Sequence, residues 1–223
     1  KKIEFLEFSE AIKNPSTMQQ QFDTTNQSRQ VILSFIALQN LLEKIDKNLI
    51  EITGDELFEC TQKVNSEIQI VDEINEQLIR EFARECGSII SPMCSVIGGI
   101  VSQEIIKLLI SKYTPIHQFF SIDYTKSLPK NTEYKLMNDR YDSYRIVFGN
   151  MQHEEMEKLS YLIVGFGSIG SELLKNLALM GFATKNEGQI LTIDKGLIKK
   201  SDLNRNFLLK NEDIGKMKSD VVK

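Results

Sequence analysis

Apolar residues recur at helical spacing through the first half of the chain. After a Gln/Thr/Asn-rich stretch, MQQQFDTTNQ, Ser28 opens a segment in which Val31, Phe35, Leu38, Leu42 and Ile45 alternate steps of four and three. That is one stripe of an amphipathic helix. Leu57, Thr61, Val64 and Ile68 form a second stripe behind Asp55, a candidate N-cap. Ile74, Leu78 and Phe82 form a third. With short connections, residues 28–86 are expected to be a small antiparallel helical bundle, preceded by a connecting segment over residues 1–27. SPMCSVIGGIVSQEIIKLLISKY then predicts one long helix, followed by a short strand over His117–Ile122 and a polar connector, closing a segment over residues 87–137. Two adjacent glycines, Gly98 and Gly99, cost a helix about 1 kcal/mol each. They are expected to pack closely against another backbone.

From residue 138 to 223 the pattern changes period. YLIVG reads as a strand, Ser168 to Met180 as a helix stopped by Gly181, and QILTID as a second strand ending on Asp194. Between the first strand and the helix lie Gly165, Gly167 and Gly170, spaced G-x-G-x-x-G. The first glycine permits the tight turn, the second lets a phosphate approach the backbone, and the third lets helix and strand pack closely. The helix N-terminus adds free N–H groups and about half a positive charge. An acid at the end of the following strand, Asp194, can accept hydrogen bonds from both hydroxyls of a ribose. This fits NAD and ATP equally.

The tail shifts the balance toward ATP. Lys199, Lys200, Arg205, Lys210, Lys216 and Lys218 follow Asp194 closely, and a triphosphate needs such neutralisation when pyrophosphate leaves. A dinucleotide site needs little positive charge there.

Bulk properties narrow the classes further. The 223 residues carry a formal net charge of -4, which argues against an unspecific grip on nucleic acid. Cys60, Cys86 and Cys94 show no CxxC spacing, and His117 and His153 lie far from them in sequence, so no zinc cluster is expected. An odd cysteine count suits a reducing compartment. Cys60 and Cys94 fall on apolar faces and are expected in the core. Pro92, Gln103, Glu104 and Lys107 interrupt the most apolar run, Ile89 to Ile110, so no membrane span is expected. The chain begins KKIEF, ends KSDVVK, and has only one strand–helix–strand unit after the loop, which cannot by itself complete a doubly wound sheet. A slice of a longer polypeptide is the expectation, with an exposed sheet edge and an uncovered apolar face.

These residues carry a resemblance. YLIVGFGSIGSELLKNLALMGF followed by LTIDKGLIKKSDLNRNFLLKNEDIGKMKSD resembles the active adenylation domain of ubiquitin-activating enzymes, and RYDSYRIVFG resembles its opening segment. SPMCSVIGGIVSQEIIKLLISKYTPIHQFFSIDYTKSLP is similar to the closing helix and strand of the inactive adenylation half, and QFDTTNQSRQVILSFIALQNL to the start of the four-helix bundle. The implied fold is α/β, a partial Rossmann-like adenylation (ThiF-type) fold preceded by a small all-α bundle. The implied chemistry uses ATP and Mg²⁺. The C-terminal glycine carboxylate of ubiquitin, or of a ubiquitin-like protein, attacks the α-phosphate, and the acyl-adenylate passes to a catalytic cysteine. A ubiquitin-conjugating enzyme and the rest of the same polypeptide are the further partners implied, with no nucleic acid or membrane, in cytoplasm and/or nucleus.

By position, the resemblance makes Asp194 the ribose acid, Arg205 the arginine contacting the triphosphate, and Lys218 the lysine steadying the phosphates. Asn206 stands where the family usually has Gln near the nucleotide. Arg140 matches an arginine pointing toward the opposite half's nucleotide pocket, with a structural role as the alternative. None of the three cysteines matches the catalytic one, and the acid completing the metal site is implied on a later strand. Two positions depart: IDKG replaces the usual TDxD, so Gly196 stands where an acid would help hold Mg²⁺, and SDLNRNF replaces SNLNRQF, putting Asp202 where Asn is usual. An acid at 202 should weaken ATP binding unless it serves the metal; the expectation is that Asp202 compensates for Gly196. A degenerate, non-catalytic adenylation scaffold and an NAD- or FAD-dependent Rossmann oxidoreductase are the alternatives.

Overall fold

The computed structural model describes residues 4–13, 27–45, 48–122, 124, 127–129, 133–185 and 188–221. The chain forms two units, Lys1–Ile89 with Val96–Lys130, and Ile90–Ser95 with Asn131–Lys223. The Gln/Thr/Asn-rich linker expected over residues 18–27 lies outside the described residues except for Gln27.

In the first unit a one-turn helix α1 (Phe8–Ala11) precedes three longer helices, α2 (Gln27–Leu42), α3 (Gly54–Ile68) and α4 (Glu76–Glu85). α2 packs on α3 and α4, and α3 on α4, around Leu33, Ala37, Leu57, Val64, Ile70 and Ile79. The cap of α3 is Thr53 rather than Asp55. The Thr53 hydroxyl accepts from the Glu56 N–H while the Glu56 carboxylate accepts from the Thr53 N–H, a reciprocal capping box. Asp55 sits in the first turn and pairs with Arg80 instead.

The stripe expected on α3 is the buried one: Leu57, Thr61 and Val64 are buried. On α2 the phase differs. Ile32, Leu33, Ala37 and Leu38 face the core, and Phe35 is 58% exposed with its ring against Phe82. Apolar side chains occupy nearly every side of this helix, so spacing alone does not choose the buried one. α4 buries Ile79 and Ala83 fully and leaves Leu78 and Phe82 partly covered, for the same reason of phase. Cys60 is buried as expected; Cys94 is exposed, contrary to expectation.

α5 (Ser91–Ile110) is one uninterrupted helix with no buried residue among those described. It is long and apolar enough to cross a membrane, a test that core helices of soluble proteins also pass. Length and composition therefore do not support the expected exclusion of a span. Of the interrupting charges, Glu104 and Lys107 pair with each other, and Glu104 also accepts from the Ile116 N–H. A Cβ added at Gly98 or Gly99 would meet nothing within 4 Å, so the close backbone contact expected there is not made among the described residues. No strand forms over His117–Ile122. That segment instead uses side chains: Gln118 Oε1 accepts from the Leu6 N–H and its Nε2 donates to the Leu6 carbonyl. A strand needs a neighbouring ladder, and among the described residues this segment has none.

After Ile90–Ser95, the second unit continues with α6 (Asp142–Phe148) and α7 (Asn150–Lys158). Arg145, buried in α6, forks onto Asp139 and Asp142, and the guanidinium holds the Asp139 carboxyl down at about 2. β1 (Tyr161–Val164), α8 (Ser168–Met180) and β2 (Ile190–Ile193) follow, and then α9 (Lys218–Val221). The strands pair in parallel with Tyr161 opposite Ile190 and Val164 opposite Ile193, and α8 makes the crossover. One face of this two-stranded sheet, Leu162, Val164, Leu191 and Ile193, is more than half exposed, the uncovered apolar face anticipated for a lone βαβ unit.

α8 stops at Gly181, as expected. Its φ is +81°, and a Cβ there would lie 2.7 Å from Tyr141 Cε1. Gly181→Ala should therefore lower the stability of this unit by about 1–3 kcal/mol, from left-handed backbone strain plus ring displacement. The midpoint of its urea transition in the full-length protein measures this.

Candidate functional site

β1, α8 and β2 bring the glycine loop and Asp194 together. Gly165 leaves β1 with φ +96°, a conformation only glycine adopts easily, and its N–H donates to the Ile193 carbonyl of the neighbouring strand. Gly170, in the first turn of α8, lies so close to the loop that an added Cβ would sit 2.1 Å from the Gly165 carbonyl oxygen. Gly167 is different. Its φ of -85° and ψ of -162° suit any residue, and a Cβ there would meet nothing within 4 Å. Neither backbone nor packing in this chain calls for glycine at 167. Space is open there beside a helix terminus whose first N–H groups have no intrahelical acceptor, which is where a phosphate would approach.

Asp194 locks this loop to the segment after β2. One carboxylate oxygen accepts from the Phe166 N–H at 2.6 Å and the other from the Gly196 N–H at 2.7 Å. These bonds, with help from the nearby Lys218 charge, hold its carboxyl below the usual range, against the opposing effect of burial. The acid is thus ionised and oriented at the end of the strand, with lone pairs remaining for hydroxyl donors. Phe166 is itself fully buried and packs with Ile198 and Leu209, so the loop is pinned from behind.

The tail folds back in two short 3₁₀ turns, Lys200–Asn204 and Asn211–Asp213. Leu197 bridges to Met217, and the Lys218 N–H donates to the Gly196 carbonyl. Lys218 at the start of α9 therefore lands beside Asp194 and Asp202. Its ammonium is 3.4 Å from Asp202, whose other oxygen is 3.7 Å from the exposed Arg205 guanidinium. The Lys199 N–H also donates to Asp202 at 3.0 Å. That bond and the two cations hold the Asp202 carboxyl below its usual range, burial opposing.

Asn206 is buried and does not face open space. Its Nδ2 donates to the Ser171 hydroxyl, which donates in turn to the Gly167 carbonyl, while its Oδ1 accepts from the Leu208 N–H. Asn206 thus braces the Gly167 turn from inside. Replacing Asn206 with Ala should cost about 1–3 kcal/mol through the orphaned Ser171 and Leu208 partners. It should also weaken nucleotide binding modestly, both read by ligand-dependent melting of the full-length protein. Arg140 lies apart from the glycine loop, donating to the Ala178 carbonyl near the end of α8 at 3.0 Å and stacking over Tyr141. Its contacts here are those of a helix cap.

Sequence reasoning singled out neither Ser171 nor Phe166. Ser171 was detectable as the residue four after Gly167 on the same helix face, where a hydroxyl can bond back to a carbonyl. Phe166 had no comparable signal. Among the described residues, no three His, Cys, Asp or Glu side chains group so as to hold a metal ion. Asp202 faces two cations and position 196 offers no side chain, so the described residues fit an anionic nucleotide but not a resident divalent ion.

Residues 140–223 match the ThiF family. The chain is 35% identical over 228 residues to Ubiquitin-activating enzyme E1 1 of Schizosaccharomyces pombe, covering 98% of this chain and 22% of that protein. It is 39% identical over 155 residues to Ubiquitin-activating enzyme E1 2 of Arabidopsis thaliana, covering 68% of this chain and 14% of that protein. It is 33% identical over 233 residues to Ubiquitin-like modifier-activating enzyme 1 of Oryctolagus cuniculus, covering 99% and 22% respectively. The chain thus spans about a fifth or less of the length of these relatives.

Proposed function

The chain matches a fragment of a ubiquitin-activating enzyme E1 and carries a ThiF-family unit, and on that premise we propose that residues 138–223 supply part of an ATP site. There the C-terminal glycine of ubiquitin, or of a ubiquitin-like protein, is adenylated. The observation that carries this reading is the pair of bonds from Asp194 to the N–H groups of Phe166 and Gly196. A single carboxylate ties the glycine loop to the turn after β2.

In the proposed reaction the modifier's carboxylate attacks the α-phosphate of ATP and pyrophosphate departs. Gly165 and Gly170 set the loop, and Gly167 leaves room for phosphate. The α8 N-terminus offers N–H donors, and Asp194 receives the ribose hydroxyls. Arg205 and Lys218 neutralise the phosphates, where fixed charges lower the barrier without reorganisation. Asp202 and Asn206 act on these groups from behind. Arg140 holds α8 at its far end in this chain, and a reach to the pocket of the opposite half is proposed as its second role. Mg²⁺ is proposed to come with the phosphates.

Residues 28–86 are read as part of a helical bundle behind the connecting segment 1–27, and residues 87–137 as the end of the inactive adenylation half. The acyl group is proposed to pass to a cysteine other than Cys60, Cys86 and Cys94, and on to a conjugating enzyme, in cytoplasm or nucleus.

Nucleotide selectivity tests the site. Isothermal titration of the full-length protein should show ATP binding at least about a hundredfold tighter than NAD or FAD. A preference for a dinucleotide would instead make the βαβ unit part of an oxidoreductase.

A further inference from the structure

The two side chains proposed above to neutralise the triphosphate are already engaged, and by Asp202, which stands where the resembled family usually has Asn. Asp202 is 8% exposed. Its Oδ2 accepts the Lys199 N–H at 3.0 Å and lies 3.4 Å from Lys218 Nζ, and its Oδ1 lies 3.7 Å from Arg205. The first contact is a full hydrogen bond. The other two are longer than the ~2.7–2.9 Å of a tight charge-assisted pair, so the cations are held without being locked. Lys218 itself is only 15% exposed in its side chain. Its stem passes Gly196, where a Cβ would meet Lys218 Cδ at 3.6 Å and Asp194 Oδ1 at 2.9 Å. A Cβ at 196 would thus sit at ordinary contact distance from Lys218 and crowd Asp194 instead.

Resting on the ATP-site reading above, we infer that Asp202 is an internal stand-in for phosphate, which positions Lys218 and Arg205 when no nucleotide is bound and sets the affinity for ATP by competing for both. ATP binds by exchanging anionic partners. The cations keep their positions, and each contact they gain from phosphate is offset by one they loosen from Asp202. This assigns Asp202 a role opposite to that of a metal ligand: its carboxylate opposes triphosphate binding.

The adjacent turn provides an internal control. Asp213 accepts the Lys210 N–H at 2.9 Å and pairs with Lys216 at 3.0 Å, three residues on, repeating the Lys199–Asp202–Arg205 arrangement without Lys218. Both Asp202→Asn and Asp213→Asn keep a side-chain oxygen for the backbone N–H and remove only the charge.

The test is equilibrium binding of ATP and of adenosine to the full-length protein, for wild type, Asp202→Asn, Asp213→Asn, Lys218→Ala and the Asp202→Asn/Lys218→Ala double variant. Asp202→Asn should tighten ATP about tenfold, equivalent to about 1.4 kcal/mol, leave adenosine unchanged, and lose most of that gain when Lys218 is Ala. Asp213→Asn should change neither ligand. Unchanged or weaker ATP binding by Asp202→Asn, a greater magnesium requirement in that variant, or equal tightening by Asp213→Asn would overturn the inference while wild-type ATP binding still upheld the site. Absence of ATP binding in wild type and Asp202→Asn alike would instead remove the ATP-site reading on which the inference stands.

Discussion

Asp194→Ala is expected to weaken ATP binding at least a hundredfold and to loosen the glycine loop even without nucleotide. Three losses coincide. The Phe166 N–H and the Gly196 N–H lose their acceptor, at 2.6 and 2.7 Å, so the turn after β1 and the turn after β2 separate. Buried donors left unpaired cost about 1–3 kcal/mol each. The ribose loses its proposed acceptor as well. Asp194→Asn separates these effects: one oxygen remains to accept, so the loop should recover more than the affinity does. The acid's ionisation also sets a direction with pH. Its folded carboxyl lies below the ordinary value, so its contribution to stability is fully present above the unfolded value near 4 and is lost as pH falls through the folded one. A midpoint-versus-pH series comparing wild type with Asp194→Asn should converge as the pH drops below about 4.

Substitution of the three loop glycines by alanine should give unlike results at 167 and 170. A Cβ at 170 would sit 2.1 Å from the Gly165 oxygen and 3.2 Å from its carbon. Both obstacles are backbone, so α8 would have to part from β1. The expected cost is about 3 kcal/mol or more, seen as an unfolded or strongly destabilised second unit in limited proteolysis. At 167 nothing lies within 4 Å and the dihedrals are ordinary. Gly167→Ala should fold with a wild-type melting point and lose ATP affinity by tenfold or more, because only the ligand needs that space. If Gly167→Ala bound ATP normally, the phosphate would have to lie elsewhere.

How legible these features were in the sequence follows from how local their causes are. The βαβ unit was readable because each signal acts within a few residues: an apolar run, three glycines with distinct duties, and Gly181 at the end of a helix whose observed bounds are Ser168–Met180. α3 was readable because its polar residues leave only one apolar stripe. α2 was not, since apolar residues surround it and the buried side depends on what α3 and α4 present. The segment over His117–Ile122 was misread because a strand is made by its neighbour, and Gln118 pairs with Leu6 instead. The glycine pair in α5 was assigned a packing partner that the described residues do not supply.

In the candidate site, the positions of Asp194 and the glycines followed from spacing. The engagement of Asp202 with Lys218 did not, because it depends on the Leu197–Met217 bridge folding the tail back. The same holds for Asn206. A residue aligned with a nucleotide-facing position turned inward because Ser171, one helical turn past Gly167, was there to receive it.

The most direct test of the central claim is ATP–pyrophosphate exchange by the full-length protein, with and without ubiquitin and a panel of ubiquitin-like proteins. The account predicts exchange that requires one of these modifiers and vanishes in Asp194→Ala. Absence of exchange with every modifier, in a protein that is folded and binds ATP, would contradict adenylation here and leave the chain part of a non-catalytic nucleotide-binding scaffold.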